Sequence, residues 1–129
     1  MKKFASIDVG LKRIGVAISL DNSIVVSQNA ILRKNRNQAA RDISNFLKEW
    51  QIDALVVGVP LGGSSEEEMK RRIEHFVSLL EFEKEIFYQD EAGSSQEAKE
   101  MMVGITRQKR DGKIDSMAAK IILERYLEK

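Results

Sequence analysis

Phe4-Ala5-Ser6-Ile7-Asp8-Val9-Gly10-Leu11-Lys12-Arg13-Ile14-Gly15-Val16-Ala17-Ile18-Ser19 is the stretch that decides the fold. An apolar strand runs into a single acid, a glycine turn reverses the chain, and a second apolar strand leads away. This is the pattern of a hairpin with Gly10 at its turn. A carboxylate at the end of a buried strand is costly unless a metal ion, a phosphate-binding turn or an ion-pair partner offsets its desolvation. Asp8 is therefore the first candidate functional residue.

Working outward, residues 3–9 and 13–19 form the hairpin, and a third strand fits Ser23–Ala30 after the Asp21-Asn22 turn signal. Helical spacing takes over at residues 36–50, with Ala39, Ile43, Phe46, Leu47 and Trp50 on one apolar face. Ala54-Leu55-Val56-Val57-Gly58-Val59 is continuously apolar, as in a strand covered on both sides, and Pro60 ends it. A helix capped near Ser64-Ser65 carries the stripe Met69, Ile73, Phe76, Val77 and Leu80, and Glu66, Glu67 and Glu68 suit the positive end of its dipole. Glu85–Gln89 reads as a fifth strand that delivers Asp90 and Glu91 to its C-terminal end. A helix from Ser94 or Ser95 to about Met102, a basic glycine-punctuated loop over Val103–Lys113 and a last helix over 114–127 complete the chain.

This order predicts an α/β fold: a five-stranded mixed sheet with helices on both faces. The first three strands make an antiparallel meander and the later ones return by right-handed crossovers, which sets the first and fourth strands side by side. The C-terminal ends of those central strands are where an open α/β sheet carries its site.

Composition narrows the class. The 129 residues suit a single domain, 1–129, with one core. With no cysteine, disulfides, thiolate zinc sites and cysteine nucleophiles are excluded. No apolar run approaches the ~20 residues that span a bilayer, and the N-terminus lacks the apolar core of a signal peptide. A cytoplasmic protein without membrane contact is expected. Lys and Arg number 21 against 20 Asp and Glu, so any nucleic-acid binding must use local basic patches.

Three segments carry a family likeness: Ile7-Asp8-Val9-Gly10-Leu11-Lys12-Arg13-Ile14-Gly15-Val16-Ala17, Val56-Val57-Gly58-Val59-Pro60-Leu61-Gly62-Gly63-Ser64, and Lys113-Ile114-Asp115-Ser116-Met117-Ala118-Ala119-Lys120-Ile121-Ile122-Leu123. In their order and spacing they resemble the YqgF/RuvX family of bacterial Holliday-junction resolvases and pre-16S rRNA nucleases, of the ribonuclease-H-like superfamily. Each motif alone is weak, but together they are specific and span nearly the whole chain. The resemblance implies a metal-dependent nuclease acting on structured nucleic acid, for maturation of the 5′ end of 16S rRNA, resolution of branched DNA or both, with RNA favoured. One position departs from the family pattern. The segment Asp90-Glu91-Ala92-Gly93-Ser94-Ser95 keeps both acids and the hydroxyls but holds Ala92 where the family usually has arginine.

Asp8, Glu91 and Asp115 can converge at one end of the sheet. Two divalent ions held ~4 Å apart by shared carboxylates would activate water on one side of phosphorus and stabilise the leaving oxygen on the other. Hard oxygen ligands suit Mg²⁺ or Mn²⁺. On local pattern alone Asp8 is as readily a turn-forming aspartate, and Asp115 a helix N-terminal acid. The partner acids and the resemblance favour metal ligation. Asp115, Ala118, Ala119 and Ile122 share one helix face, and the two alanines would let that helix approach the sheet closely. Strand alternation sends Asp90 and Glu91 to opposite faces, and the resemblance favours Glu91 as the ligand.

Lys12, Arg13, Arg107, Lys109, Arg110 and Lys113 flank the acids and could hold phosphates without reading bases. Solvated surface is the ordinary explanation for most charges in such a chain, and it is preferred for Arg71 and Arg72. His75 reads as a surface residue and Trp50 as core. Two further functions stay open. One is a non-catalytic nucleic-acid-binding module of this fold. The other is a phosphate-binding domain like those of the sugar-kinase/actin superfamily, which need two such domains to enclose a nucleotide. A monomer or weak homodimer is expected.

Overall fold

The computed structural model describes residues 2–60, 64–90 and 113–128. Five strands, β1 (Phe4–Val9), β2 (Arg13–Ser19), β3 (Val26–Leu32), β4 (Ala54–Val59) and β5 (Glu85–Asp90), form one sheet in the order β3-β2-β1-β4-β5. β2 runs antiparallel to β1 and β3, whereas β4 pairs in parallel with β1 and β5. The five-stranded mixed sheet and the adjacency of β1 and β4 are those expected from the sequence. Three helices are described: α1 (Arg36–Glu49), α2 (Ser64–Ser78) and α3 (Lys113–Leu127). The expected helix after Ser94 and the basic loop lie outside the described residues, as does the Leu61-Gly62-Gly63 segment.

Strand alternation divides the sheet into two unlike faces. Ala5, Ile7, Val16, Leu55, Val57 and Val59 face α1 and α2, and pack with Ile43, Leu47, Ile73 and Phe76 in the larger core. Phe4, Ala17, Ala54 and Val56 face α3, and meet Ala119, Ile122 and Leu123. Every residue of β4 is buried, which explains its unbroken apolar run. The helix α1 begins with a capping box in which Asn35 accepts from the Gln38 amide at 2.7 Å.

Three local expectations are corrected. β3 starts at Val26, not Ser23, because the Asp21 carboxylate takes the amides of Ser23 and Ile24 at 3.0 and 2.9 Å. With Asn22 at φ 65°, that turn holds the chain off the ladder for three more residues. Trp50 is not core. It is the C-cap of α1, 36% exposed and tilted against Phe46. Met69 lies on the stripe expected to be buried in α2, yet it is 53% exposed.

Candidate active site

Ser6 and Asp8 share the α3 face of β1. The Ser6 hydroxyl donates to the carbonyl of Ala119 at 2.6 Å, which fixes α3 against that face. Asp8, two residues on, is half-buried at the C-terminal end of the strand. Its Cα partner across the β1–β2 ladder is Gly15. A Cβ built on Gly15 would overlap the backbone carbonyl of Asp115 and lie 2.8 Å from the Ser116 nitrogen. The first turn of α3 therefore rests on bare backbone directly opposite Asp8. Glycine is what lets it come so close.

The sheet is modified at the same point. The β2–β3 register shifts between Ile14 and Val16, and the Val16 amide donates to Ser116 Oγ at 3.3 Å. Ala119 is fully buried against the sheet, whereas Ala118, equally buried, groups with Ile121, Ile114 and Met117 in a separate cluster. The close-approach role expected for the two alanines falls to Ala119, together with Gly15 and Ser116. A glycine in mid-strand was the sequence signal for it. Asp115 is half-buried in the first turn of α3, where its charge also complements the helix dipole.

Asp90 belongs to the other face. It pairs in register with Val59, whose side chain lies in the α1/α2 core, whereas Gln89 pairs with Gly58 and is buried on the α3 side. Its backbone carbonyl accepts from Arg125 of α3 at 3.4 Å. Glu91 and Ala92 lie outside the described residues, as do Arg107, Lys109 and Arg110, and Lys113 is described only as the first residue of α3. Among the described residues no three His, Asp or Glu side chains gather as a metal cluster. The donor set that Asp8 and Asp115 bring to this end is hard oxygen, with His75 exposed on a helix of the other face.

The turn after Asp8 is braced by a residue that the sequence reading passed over. Arg33, just beyond β3, donates from Nη1 to the Gly10 carbonyl at 2.9 Å, and its amide donates to the Lys12 carbonyl at 2.8 Å. Its guanidinium lies over the Phe76 ring, 5.5 Å from the centroid. Within the turn, the Gly10 amide donates to the Arg13 carbonyl at 3.1 Å, and a Cβ on Gly10 would sit 2.5 Å from that oxygen. Lys12 is exposed at the apex and Arg13 is half-buried at the start of β2.

Residues 2–129 match the family model described as "RuvX: Holliday junction resolvase". A Sulfurovum protein named "Putative pre-16S rRNA nuclease" is 70% identical over 125 residues, covering 97% of this chain and 98% of the relative. A protein of the same name from Sulfurimonas denitrificans is 58% identical, covering 97% and 96%. In backbone, RuvC of T. thermophilus in complex with Holliday junction substrate is similar with a TM-score of 0.62 at 11% identity, covering 97% of this chain and 93% of RuvC. The fowlpox virus Holliday junction resolvase follows with a TM-score of 0.56 at 13% identity, covering 98% of each chain. At such identities the two structures speak for the ribonuclease-H-like fold. With the family model spanning nearly every residue, and relatives this similar over their whole length, the chain belongs to the RuvX family of Holliday junction resolvases.

Proposed function

We propose that this protein is a divalent-metal-dependent nuclease that hydrolyses phosphodiester bonds in structured nucleic acid, with the 5′ end of precursor 16S rRNA as its first substrate and branched DNA as its second. The observation that carries the reading is the seating of α3 on Gly15. It brings the acid of the first α3 turn to the strand end that carries Asp8, on one face of the sheet. The preference for RNA rests on the names of the relatives at 70% and 58% identity.

Asp8 and Asp115 are the residues that would hold Mg²⁺ or Mn²⁺, and Glu91 is the third ligand that the family resemblance implies. When bound, a pair of such ions supplies an activated water and charge stabilisation at the leaving oxygen. The chain's own part is positional. Ser6, Gly15 and Ser116 fix α3, so that the two carboxylates are oriented before substrate arrives. Arg33 holds the 10–13 turn, which keeps Lys12 and Arg13 beside Asp8 as phosphate contacts. Lys113, Arg107, Lys109 and Arg110 would extend that contact along the nucleic-acid backbone. Residues 1–129 act in this reading as one domain, as a monomer or weak homodimer in the cytoplasm. No described helix is long and apolar enough to cross a membrane.

The test is a Mg²⁺ and Mn²⁺ titration of wild-type and Asp8→Asn protein on precursor rRNA and on four-way junction DNA. Asp8→Asn should fold and bind nucleic acid, yet show background cleavage at every metal concentration. Wild-type cleavage by Asp8→Asn would end the metal reading. Binding without cleavage by the wild-type protein would make this a binding module, to which Ala92 in place of the family arginine would then be relevant.

A further inference from the structure

On the other face of the same strand end lies a cavity of about 540 Å³ that the proposed chemistry does not use. Its volume is that of a small-ligand site. Val9, next to Asp8, lines it together with Leu11 and, from α2, Met69 and Ile73. Leu11 is 79% exposed and Met69 is 53% exposed, so two large apolar side chains stand at its rim in water. Around them stand four arginines, Arg33, Arg36, Arg71 and Arg72, against one carboxylate, Glu68. Glu68 pairs with Arg72 at 3.0 Å, and Arg33 is committed to the Gly10 carbonyl and the Phe76 ring. Among the described residues, Arg36 and Arg71 have no carboxylate within ion-pair distance, and both line the cavity. His75 completes the rim.

An apolar lining beside guanidinium groups suits a ligand that is flat and apolar in one part and anionic in another. We infer that this cavity takes an unpaired nucleotide of the strand whose phosphate lies at Asp8. The base rests on Leu11 and Met69, and its phosphate meets Arg36 and Arg71. The inference rests on the nuclease reading above and deepens it. Asp8 and Val9 are consecutive and point to opposite faces, so a strand crossing the Gly10–Lys12 turn passes from the carboxylates to the cavity. A base held in a duplex cannot enter, whereas a single-stranded one can, by apolar contact and cation contact. The pocket would thus recognise the boundary between paired and unpaired nucleic acid beside the scissile bond. It also gives Arg71 a place at the site, against its reading from sequence as solvated surface.

The test measures binding alone, in EDTA, so that cleavage does not enter. The probes are an RNA hairpin with a single-stranded 5′ tail, the same hairpin without a tail, and a tailed hairpin with abasic tail residues. The double variant Arg36→Ala/Arg71→Ala should bind the tailed RNA roughly tenfold more weakly and lower its salt slope by about 1.4, the share of two single-strand phosphates. Leu11→Ala/Met69→Ala should lose about tenfold on the tailed RNA, the order expected for the apolar area these two side chains would cover, and almost nothing on the abasic tail. Both should bind the untailed hairpin like wild type. Lys48→Ala/Lys84→Ala, at the far end of the sheet, should bind all three probes like wild type. Equal losses of Leu11→Ala/Met69→Ala on normal and abasic tails would overturn the base pocket, as would pocket variants that bind like wild type. So would competition by a polyglutamate peptide as strong as that by single-stranded RNA of equal charge. A wild-type protein that bound none of the RNAs, in EDTA or with Mg²⁺ restored, would instead overturn the nuclease reading itself.

Discussion

The two faces of this sheet are held by different means. Toward α1 and α2 the contacts are among large aliphatic and aromatic side chains, with Phe76, Ile7, Ile43 and Leu55 almost wholly buried. Toward α3 the closest approach is made by small residues and directed bonds. Gly15 lies under Asp115, the Ser6 hydroxyl bonds the Ala119 carbonyl, and Ser116 receives the Val16 amide. The apolar face supplies stability that tolerates small shifts, because burial has no direction. The close-packed face supplies position, because a helix seated on glycine and held by hydroxyls has one place to sit. Asp8 and Asp115, the two candidate acids among the described residues, are on the face that fixes position.

That contrast is open to a direct attack from the apolar side. Phe76→Ala should have the largest effect on stability, about 4 kcal/mol, since it empties the core and removes the ring beneath Arg33. Denaturant unfolding measures it. Cleavage per folded molecule should fall far less than stability does. A proportional loss of both would mean that the two faces are not separable.

Gly15→Ala attacks the other side. The new methyl meets the backbone of Asp115 and Ser116 in place of a flexible side chain, so the start of α3 must move. A stability loss of about 3 kcal/mol is expected, at the upper end of overpacking. Cleavage should be lost almost completely even at temperatures where the variant is folded. If Gly15→Ala cleaves normally, α3 has slack at this point and position is set elsewhere.

Ser6→Ala is milder. It removes one buried hydroxyl bond and leaves the Ala119 carbonyl to its helical partner, which costs about 1 kcal/mol. Metal affinity, read by Mn²⁺ titration of activity, should weaken more than substrate affinity. The reverse order would show that the bond serves only folding.

How far the sequence revealed this depends on whether each feature is local. β1, β2 and β4 are apolar runs bounded by turn or breaker residues, so their limits emerged within a residue. β3 did not, because the Asp21 side chain competes with the ladder for backbone amides. Trp50 misled because it falls at the helical spacing of a core stripe just where α1 stops. Gln51 at φ 55° then turns the chain away. The acids were legible as chemistry. That α3 closes on Gly15 was only half legible, through two alanines. The arginine-ringed cavity was not legible at all. Its residues come from the β1–β2 turn, the start of α1 and the middle of α2, and only the topology unites them.

The smallest expected effect is a control belonging to neither face. Asp53, just before β4, accepts the Lys3 amide at 2.9 Å and meets Lys84 at 3.4 Å, and so ties β1 to β4 at the end away from Asp8. The Lys3 backbone bond, with a smaller contribution from Lys84, holds its pKa below the ordinary 3.8. A carboxylate whose folded pKa is depressed stabilises the fold fully above its unfolded value. That contribution is lost as pH falls through the lower, folded value. Wild type should therefore exceed Asp53→Asn in thermal midpoint by a small margin at neutral pH, because the group is exposed and screened. The margin should shrink only below about pH 4, where the unfolded chain begins to bind the proton first. Thermal melts of both proteins from neutral pH down to about pH 2.5 measure it. Cleavage at neutral pH should be the same for both, since neither the seat of α3 nor the cavity touches this end. A margin unchanged by acid would show that the Lys3 contact does not depend on the charge. A fall in cleavage would show that the far end of the sheet positions the acids as well, and the division of labour between the two faces would no longer be enough.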